Sequence, residues 1–369
     1  MRLRSGRIVP VSLALRAPLA TAHGPLASRR GFVVCIEDDA GHAGWGECLP
    51  LAGFGLETRN TAGAALRTGI SALLEAAPEP LDPSLDRVDA ALPHAPAARA
   101  ALDLALHDLS ARGTGQRIAD LLAKAPRESV GVATLLEGDT DAALGECARA
   151  ATKQGFRTLK LKLGSRPLAE DLPRVAAVRR AAPDVRLRLD ANGAWTENEA
   201  RRALAALARF EPELVEQPIS GDVSRFLRLR PAPIPIAADE SIRNVEIADR
   251  FLRAGALDAL VVKPAAVGGL RAAARIASRA HARGVPIVVT SFLDSSLGIA
   301  GALELARAIP DEDVDHGLST DAWLQQDLAA LPPPHAGRRG PGPQPGLGIA
   351  PDAARLAQAS TGASETIAA

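Results

Sequence analysis

Tyrosine is absent from this 369-residue chain, and aromatic residues make up only 3% of it. Lys+Arg and Asp+Glu are equal at 43 each, so there is no basic surplus. Without a basic patch interleaved with aromatics, a nucleic-acid partner is not expected, and nothing favours an anionic membrane surface. Cysteine is scarce too. Cys35, Cys48 and Cys147 are scattered, with no C-x-x-C pair. That argues against a disulfide framework or a thiolate metal site and predicts a reducing, cytoplasmic setting. No apolar run approaches the roughly 18 residues that a spanning helix needs. The opening "MRLRSGRIVPVSLALRAP" is broken at Pro10 and alternates Val-x-Leu-x-Leu, a strand pattern rather than a signal peptide. No G-x-G-x-x-G opens a helix, so a dinucleotide fingerprint is missing as well.

What remains is 47% hydrophobic and 23% charged, the composition of a soluble globular protein. The first 125 residues read as strands followed by helices, an α+β domain. "RIVPVSLAL" and "RRGFVVCIEDDAGHAGWGEC" are the strands, and Thr58 or Asn60 caps the first helix. Residues 126–330 change texture. Short apolar runs ("VGVATLL", "FRTLKLKLG", "VRLRLDANG", "PELVEQP", "IPIAADES", "LDALVVKP", "VPIVVTSFLDSS") alternate with helical stretches. One of these, "DLPRVAAVRRAA", offers Asp171 as its N-cap. Alternation of this kind means parallel strands with crossover helices, and this many units predict a (β/α)8-type barrel. "DHGLSTDAWL" is the expected last strand, with Asp313–Asp315 in the loop before it. Residues 331–369 begin with a Pro- and Gly-rich tail that is expected to cross back over the N-terminal domain.

The apolar runs end in charge. Lys162, Asp190, Glu216, Asp239 with Glu240, and Lys263 follow one another at intervals of about one βα unit. Constant spacing means constant sidedness, so all five positions fall at the C-terminal mouth where barrel active sites are built. In "TLKLK" the period of two places Lys160 and Lys162 on one face of their strand. A single acid after a strand is ordinarily a helix cap. The order Lys, Asp, Glu, Asp, Lys over five successive units has no such reading.

Three carboxylates converging from neighbouring strands repel unless a cation lies between them, and all-oxygen donors select a hard ion such as Mg2+. The expected partner is therefore a small carboxylate substrate, and the expected chemistry is removal of the proton α to that carboxylate. A divalent ion would stabilise the resulting enediolate. Lys162 is the candidate base, since neighbouring cations disfavour protonation, and Lys263 stands opposite.

The pattern K-x-K (Lys160–Lys162), D-A-N (Asp190–Asn192), E-Q-P (Glu216–Pro218), D-E-S (Asp239–Ser241) and V-V-K-P at Lys263 resembles the muconate-lactonizing subgroup of the enolase superfamily. The resemblance implies a modified (β/α)7β barrel with an N-terminal α+β capping domain. It implies Mg2+ on Asp190, Glu216 and Asp239, with Lys160, Lys162 and Lys263 as the catalytic lysines. "GWGECLPLAGFGLET", "SFLDSSLG" and the late "GLGI" are most similar to the o-succinylbenzoate synthase family. That family dehydrates a succinyl-hydroxycyclohexadiene carboxylate in menaquinone biosynthesis. Ala52 and Gly55 depart from its usual Pro and Ser. Phe54, Arg188 and Ser291 are candidate substrate contacts, and Asn192 and Glu240 are candidates to support the metal ligands. The alternative is a racemase of N-acylamino acids or an epimerase of dipeptides using the same lysines. Dipeptide epimerases carry Asp-x-Asp at the last strand, where this chain has Ser319-Thr320-Asp321.

Overall fold

The computed structural model describes residues 1–21, 24–51, 57–310 and 313–369. Three strands open the chain: β1 (Leu3–Thr21), β2 (Gly24–Asp38) and β3 (Ala43–Cys48), paired antiparallel. Four helices follow, α1 (Arg59–Leu74), α2 (Leu81–Ala91), α3 (Pro96–Thr114) and α4 (Ile118–Leu122). Thr58 caps α1, its hydroxyl accepting from the Thr61 amide. Helix α3 lies almost directly on β3. A Cβ at Gly44 or Gly46 would stand 2.1 and 2.0 Å from the Ala105 and Ala101 carbonyl oxygens. Only glycine permits that approach.

The barrel strands are β4 (Val130–Gly131), β5 (Thr134–Leu135), β6 (Thr158–Lys162), β7 (Arg186–Asp190), β8 (Leu214–Glu216), β9 (Ile236–Ala238), β10 (Ala259–Val262) and β11 (Ile287–Val289). The helices between and after them are α5 (Asp141–Lys153), α6 (Leu168–Ala181), α7 (Glu197–Leu207), α8 (Val223–Leu227), α9 (Val245–Ala254), α10 (Pro264–Val267), α11 (Leu270–His281) and α12 (Ser296–Ala308). Strands β5 to β11 pair in sequence order, and every pairing is parallel. Alternate residues face the barrel axis. Leu214, Ala237, Ala259, Val261 and Val288 form a small apolar cluster of their own with Val314, apart from the larger core under the helices. By the strand period of two, Glu216, Asp239 and Lys263 share the parity of Leu214, Ala237 and Val261, so they point inward one layer higher.

In the segment expected to close the barrel, His316 and Gly317 bridge Val132 and Thr290 respectively, while Leu324 bridges Leu15 of β1 instead of a barrel strand. Asp321 instead opens a turn of 3-10 helix, Asp321–Trp323, and pairs with the fully buried Arg339. Asp315 lies outside any strand, as expected, yet it is buried. It is 1% exposed and accepts from Thr158 Oγ1 (2.8 Å) and Arg157 (3.0 Å). Helix α6 corrects another expectation. It starts at Leu168 after Pro167, so Asp171 lies within its first turn. There its carboxylate accepts from the Gly164 amide and from Arg174, closing the loop after β6 rather than capping. The end of the chain adds β12 (Arg338–Arg339), paired with β4, then α13 (Ala353–Ala359) and β13 (Glu365–Ala368), paired with β1.

Buried carboxylates fasten the antiparallel layer to the barrel by capping helices across the boundary. Asp103 of α3 accepts from the Leu270 amide at the start of α11 (2.7 Å). Glu47 of β3 accepts from the Ser295 amide at the start of α12 (3.1 Å). In return, Glu304 of α12 accepts from the Ala119 amide of α4 (2.8 Å). Each satisfies an orphan helix donor with a carboxyl oxygen.

His316 sits at the barrel seam, where its Nδ1 accepts from the Val289 amide (3.1 Å). Burial, with Arg127 and Arg188 nearby, pushes its pKa down to about 3. The unfolded chain binds this proton below about 6.5. Between those values the unfolded state holds more protons, so stability is complete above the upper one and is lost as pH falls. Chemical denaturation from pH 7 to pH 4 should show a falling unfolding free energy, and His316→Gln should flatten that slope.

Candidate active site

Register assembles the site. In the parallel ladder Lys162 lies opposite Asp190, and Asp190 lies opposite Glu216. Asp239 and Lys263 come one residue after β9 and β10, on the inward parity. Asp190, Glu216 and Asp239 are 1%, 2% and 4% exposed. Three acids are thus buried together at the barrel mouth.

Their charges are met by lysines. Lys160, one layer below, sends its ammonium up between two acids, 2.8 Å from Asp190 Oδ2 and 2.7 Å from Glu216 Oε1. Lys263 Nζ lies 2.5 Å from Asp239 Oδ2 and 5.6 Å from the centre of the Phe292 ring. Burial opposes the charge on both lysines, but the surrounding carboxylates outweigh it and hold both protonated above the usual lysine value. Lys162 is half-buried beside Asp190 and, among the described residues, its ammonium donates no hydrogen bond. It is therefore the lysine able to reach a substrate.

The acids share the cations unequally. Burial and the Asp190 charge push Glu216 up to about 8 despite Lys160. Burial, reinforced by Glu240, raises Asp239 as well. Burial works the same way on Asp190, but Lys160 and Lys162 pull it below the ordinary carboxylate range.

The polar surroundings hold these groups. Asn192 takes φ 45°. In that left-handed conformation its amide N donates to Asp190 Oδ1 (3.0 Å) and its Nδ2 to Glu240 Oε1 (2.9 Å). Gln217, also left-handed at φ 43°, accepts the Asp239 amide on Oε1 (2.8 Å) and donates from Nε2 to Ser241 Oγ (2.7 Å). Two non-glycine residues in this region, within two positions of the ends of β7 and β8, cost about 1–3 kcal/mol apiece. Sequence reasoning gave Gln217 no task, although its place inside E-Q-P was the signal.

As the side chains stand, no three acidic or imidazole groups among the described residues gather about one point, because ammonium groups lie between them. The donor set nevertheless fits a hard divalent cation. It is all oxygen, buried and negative, and Glu240 Oε2 is a buried oxygen with no hydrogen-bond partner.

Other expected contacts fall differently. Arg188 is on the correct strand face but one layer too deep. Its guanidinium is committed to Glu213 (2.6 Å) and the Asp315 carbonyl (2.6 Å), so it supports the barrel interior and does not contact substrate at the mouth. Ser291 Oγ is 2.5 Å from Thr320 Oγ1 at the end of the last strand segment. Phe54 lies outside the described residues, as do Ala52 and Gly55.

Comparison with known proteins agrees with this arrangement. Residues 143–355 match the family described as "Enolase C-terminal domain-like", and residues 4–123 match the mandelate racemase / muconate lactonizing enzyme N-terminal domain. The o-succinylbenzoate synthase of Thermobifida fusca is 40% identical over 190 residues, 51% of this chain and 59% of that protein. That of Mycobacterium tuberculosis is 43% identical over 178 residues, 47% of this chain and 53% of that protein. The chain thus spans between half and three fifths of the length of these curated relatives. Among solved structures, muconate lactonizing enzyme from Pseudomonas fluorescens superposes with TM-score 0.90 at 27% identity, covering 97% of this chain and 99% of that one. A dipeptide epimerase from Enterococcus faecalis, complexed with Mg and L-Leu-L-Tyr, gives 0.87 at 27% identity, over 95% of this chain and 100% of that one. An N-succinyl Arg/Lys racemase from Bacillus cereus shares the fold at TM-score 0.92, 22% identity and full coverage of both chains.

Calorimetric titration with Mg2+ or Mn2+ should show one site per chain. Asn192→Ala, which removes support from Asp190, should weaken it about 10- to 100-fold. Glu216→Gln should weaken it further.

Proposed function

The chain belongs to the enolase superfamily, and we propose that its barrel mouth removes a proton α to a substrate carboxylate in an Mg2+-dependent dehydration that yields o-succinylbenzoate. The observation that carries this reading is the buried layer of three carboxylates flanked by lysines from both sides. Asp190, Glu216 and Asp239 would hold the cation. When bound, the ion supplies positive charge that neutralises the substrate carboxylate and lowers the cost of charge developing there.

The protein's own groups divide the remaining work. Lys162 Nζ takes the α-proton, and the electron pair left behind spreads into the carboxylate. Lys263, held protonated by Asp239, presents its ammonium to that charge from the opposite flank. As the pair returns, the bond to the departing hydroxyl breaks, and Lys162 gives up its proton so that water leaves. Proton and hydroxyl thus depart as water, with no oxidant required. Until a cation binds, Lys160 lies between Asp190 and Glu216 and compensates their charge. Such an enzyme is a carbon–oxygen lyase of menaquinone biosynthesis, acting on 2-succinyl-6-hydroxy-2,4-cyclohexadiene-1-carboxylate. The named relatives support that substrate.

One observation favours a second reading. Two lysines on opposite flanks could act as paired bases on one carbon, which is the chemistry of racemisation. The acid that dipeptide epimerases present from the last strand is committed here, since Asp321 accepts two hydrogen bonds from Arg339. That weighs against a dipeptide amine as ligand and leaves N-acylamino acids as the alternative substrate.

NMR in D2O with Mg2+ separates these readings. The cyclohexadiene carboxylate should aromatise rapidly, with the rate lost in EDTA and reduced about 10³-fold or more by Lys162→Ala. Exchange and racemisation of N-acylamino acids alone would move the function to the second reading.

A further inference from the structure

Arg29 of β2 is 1% exposed and is among the largest fully buried side chains of the protein. An arginine so buried is anchored by what it touches. Its Nη2 donates to the Leu49 carbonyl (2.5 Å), its Nη1 reaches the Pro50 carbonyl (3.5 Å), and its Nε donates to the Leu293 carbonyl (3.2 Å). Leu49 and Pro50 follow β3 at the root of the "PLAGFGLET" segment, whereas Leu293 follows β11 on the barrel. One guanidinium therefore joins the two sides of the mouth.

The same guanidinium lies over the Phe292 ring, with Cζ 5.4 Å from its centre. That ring is also 5.6 Å from Lys263 Nζ. Phe292 thus stands between an immobile arginine and an active-site lysine, within cation–π range of both. Its backbone is fixed as well. The Phe292 amide donates to Asp294 Oδ2 (2.8 Å), and Leu293 takes φ 55°, a left-handed conformation that a non-glycine residue rarely adopts without support. The Arg29 bond to the Leu293 carbonyl falls on that strained residue. Asp294 and Glu47, the acids whose charges act on Arg29, compensate it within the apolar boundary.

We propose that Arg29, which touches no reacting atom, is a positioning residue: it fixes Phe292 beside Lys263 and sets Leu49 and Pro50 against the barrel, and so determines how tightly the carboxylate substrate is held. The role of Lys263 in this statement rests on the function proposed above. The physical latch does not. Neither lysine nor a shorter apolar side chain can reproduce it, because three carbonyls on two segments need the guanidinium's forked donors.

The test uses the full chain with Mg2+ and the variants Arg29→Lys, Arg29→Met and Phe292→Leu. Amide hydrogen exchange needs no substrate. Both Arg29 variants should accelerate exchange at least tenfold at residues 49–51 and 292–295, while β6 to β8 stay protected. In turnover of the cyclohexadiene carboxylate, KM should rise at least tenfold with kcat changed less than threefold. Arg29→Lys, which keeps the charge and one donor, should fall between wild type and Arg29→Met. Phe292→Leu leaves the arginine's carbonyl bonds intact, so it should raise KM without loosening residues 49–51. It also keeps the test open if Arg29→Met does not fold. Unchanged exchange at both segments, or loss spread evenly over the barrel, would overturn the latch. A KM that does not move would overturn its role in substrate binding. If wild type fails to turn over this substrate, the proposed function fails, whereas the exchange pattern still decides the latch.

Discussion

Buried carboxylates in one layer of a parallel sheet cannot all remain ionised without positive charge among them, and the barrel mouth is arranged around that constraint. Asp190, Glu216 and Asp239 are nearly inaccessible, and isolated charges so placed would cost several kcal/mol each. Lys160 and Lys263 supply the compensation in this structure, one between two acids and one on the third. Glu216, pushed up to about 8 by burial and the Asp190 charge, shows that the compensation is incomplete. A divalent cation would add the positive charge that is wanting. The site would then attract an anionic substrate instead of repelling it, so one electrostatic fact accounts for both the metal and the carboxylate.

The rest of the fold keeps this layer in place. An in-register parallel ladder holds Lys162, Asp190 and Glu216 abreast, and the apolar cluster beneath them fills the axis so that inward groups have nowhere to sink. The antiparallel layer is tied to the barrel by Asp103 and Glu47, which cap α11 and α12 across the boundary. Those caps belong to helices that follow the strands bearing Lys263 and Ser291. A movement of the outer layer is therefore transmitted to the mouth through rigid elements and not through a loop alone.

Much of this was legible in the chain. Strand period and βα spacing are local properties, so the inward parity of Lys160, Lys162, Asp190 and Glu216 and the common level of the last three could be read directly. Depth could not. Arg188 shares the face of Asp190 but sits two residues, about 6–7 Å, further down the axis, and its partners Glu213 and Asp315 come from other strands. Asp171 looked like a cap because an acid before a helical run usually is one. The actual start at Leu168 was hidden by Pro167 and by a carboxylate turned back on the loop after β6. Gln217 and Arg29 act through backbone groups of distant segments, and nothing in a single sequence marks which carbonyl a side chain will reach. Gly44 and Gly46 lie inside β3 and serve close packing against α3, a role that no local pattern announces.

The central claim is that the layer is a cation site from which the lysine ammonium groups can be displaced. Crystals grown with Mn2+, examined by anomalous scattering at the manganese edge, test it most directly. The account predicts one strong peak at about 2.0–2.2 Å from an oxygen of each of Asp190, Glu216 and Asp239, with Lys160 Nζ no longer between the first two. A map with no peak there, and with both lysines still paired to the carboxylates at saturating metal, would contradict it.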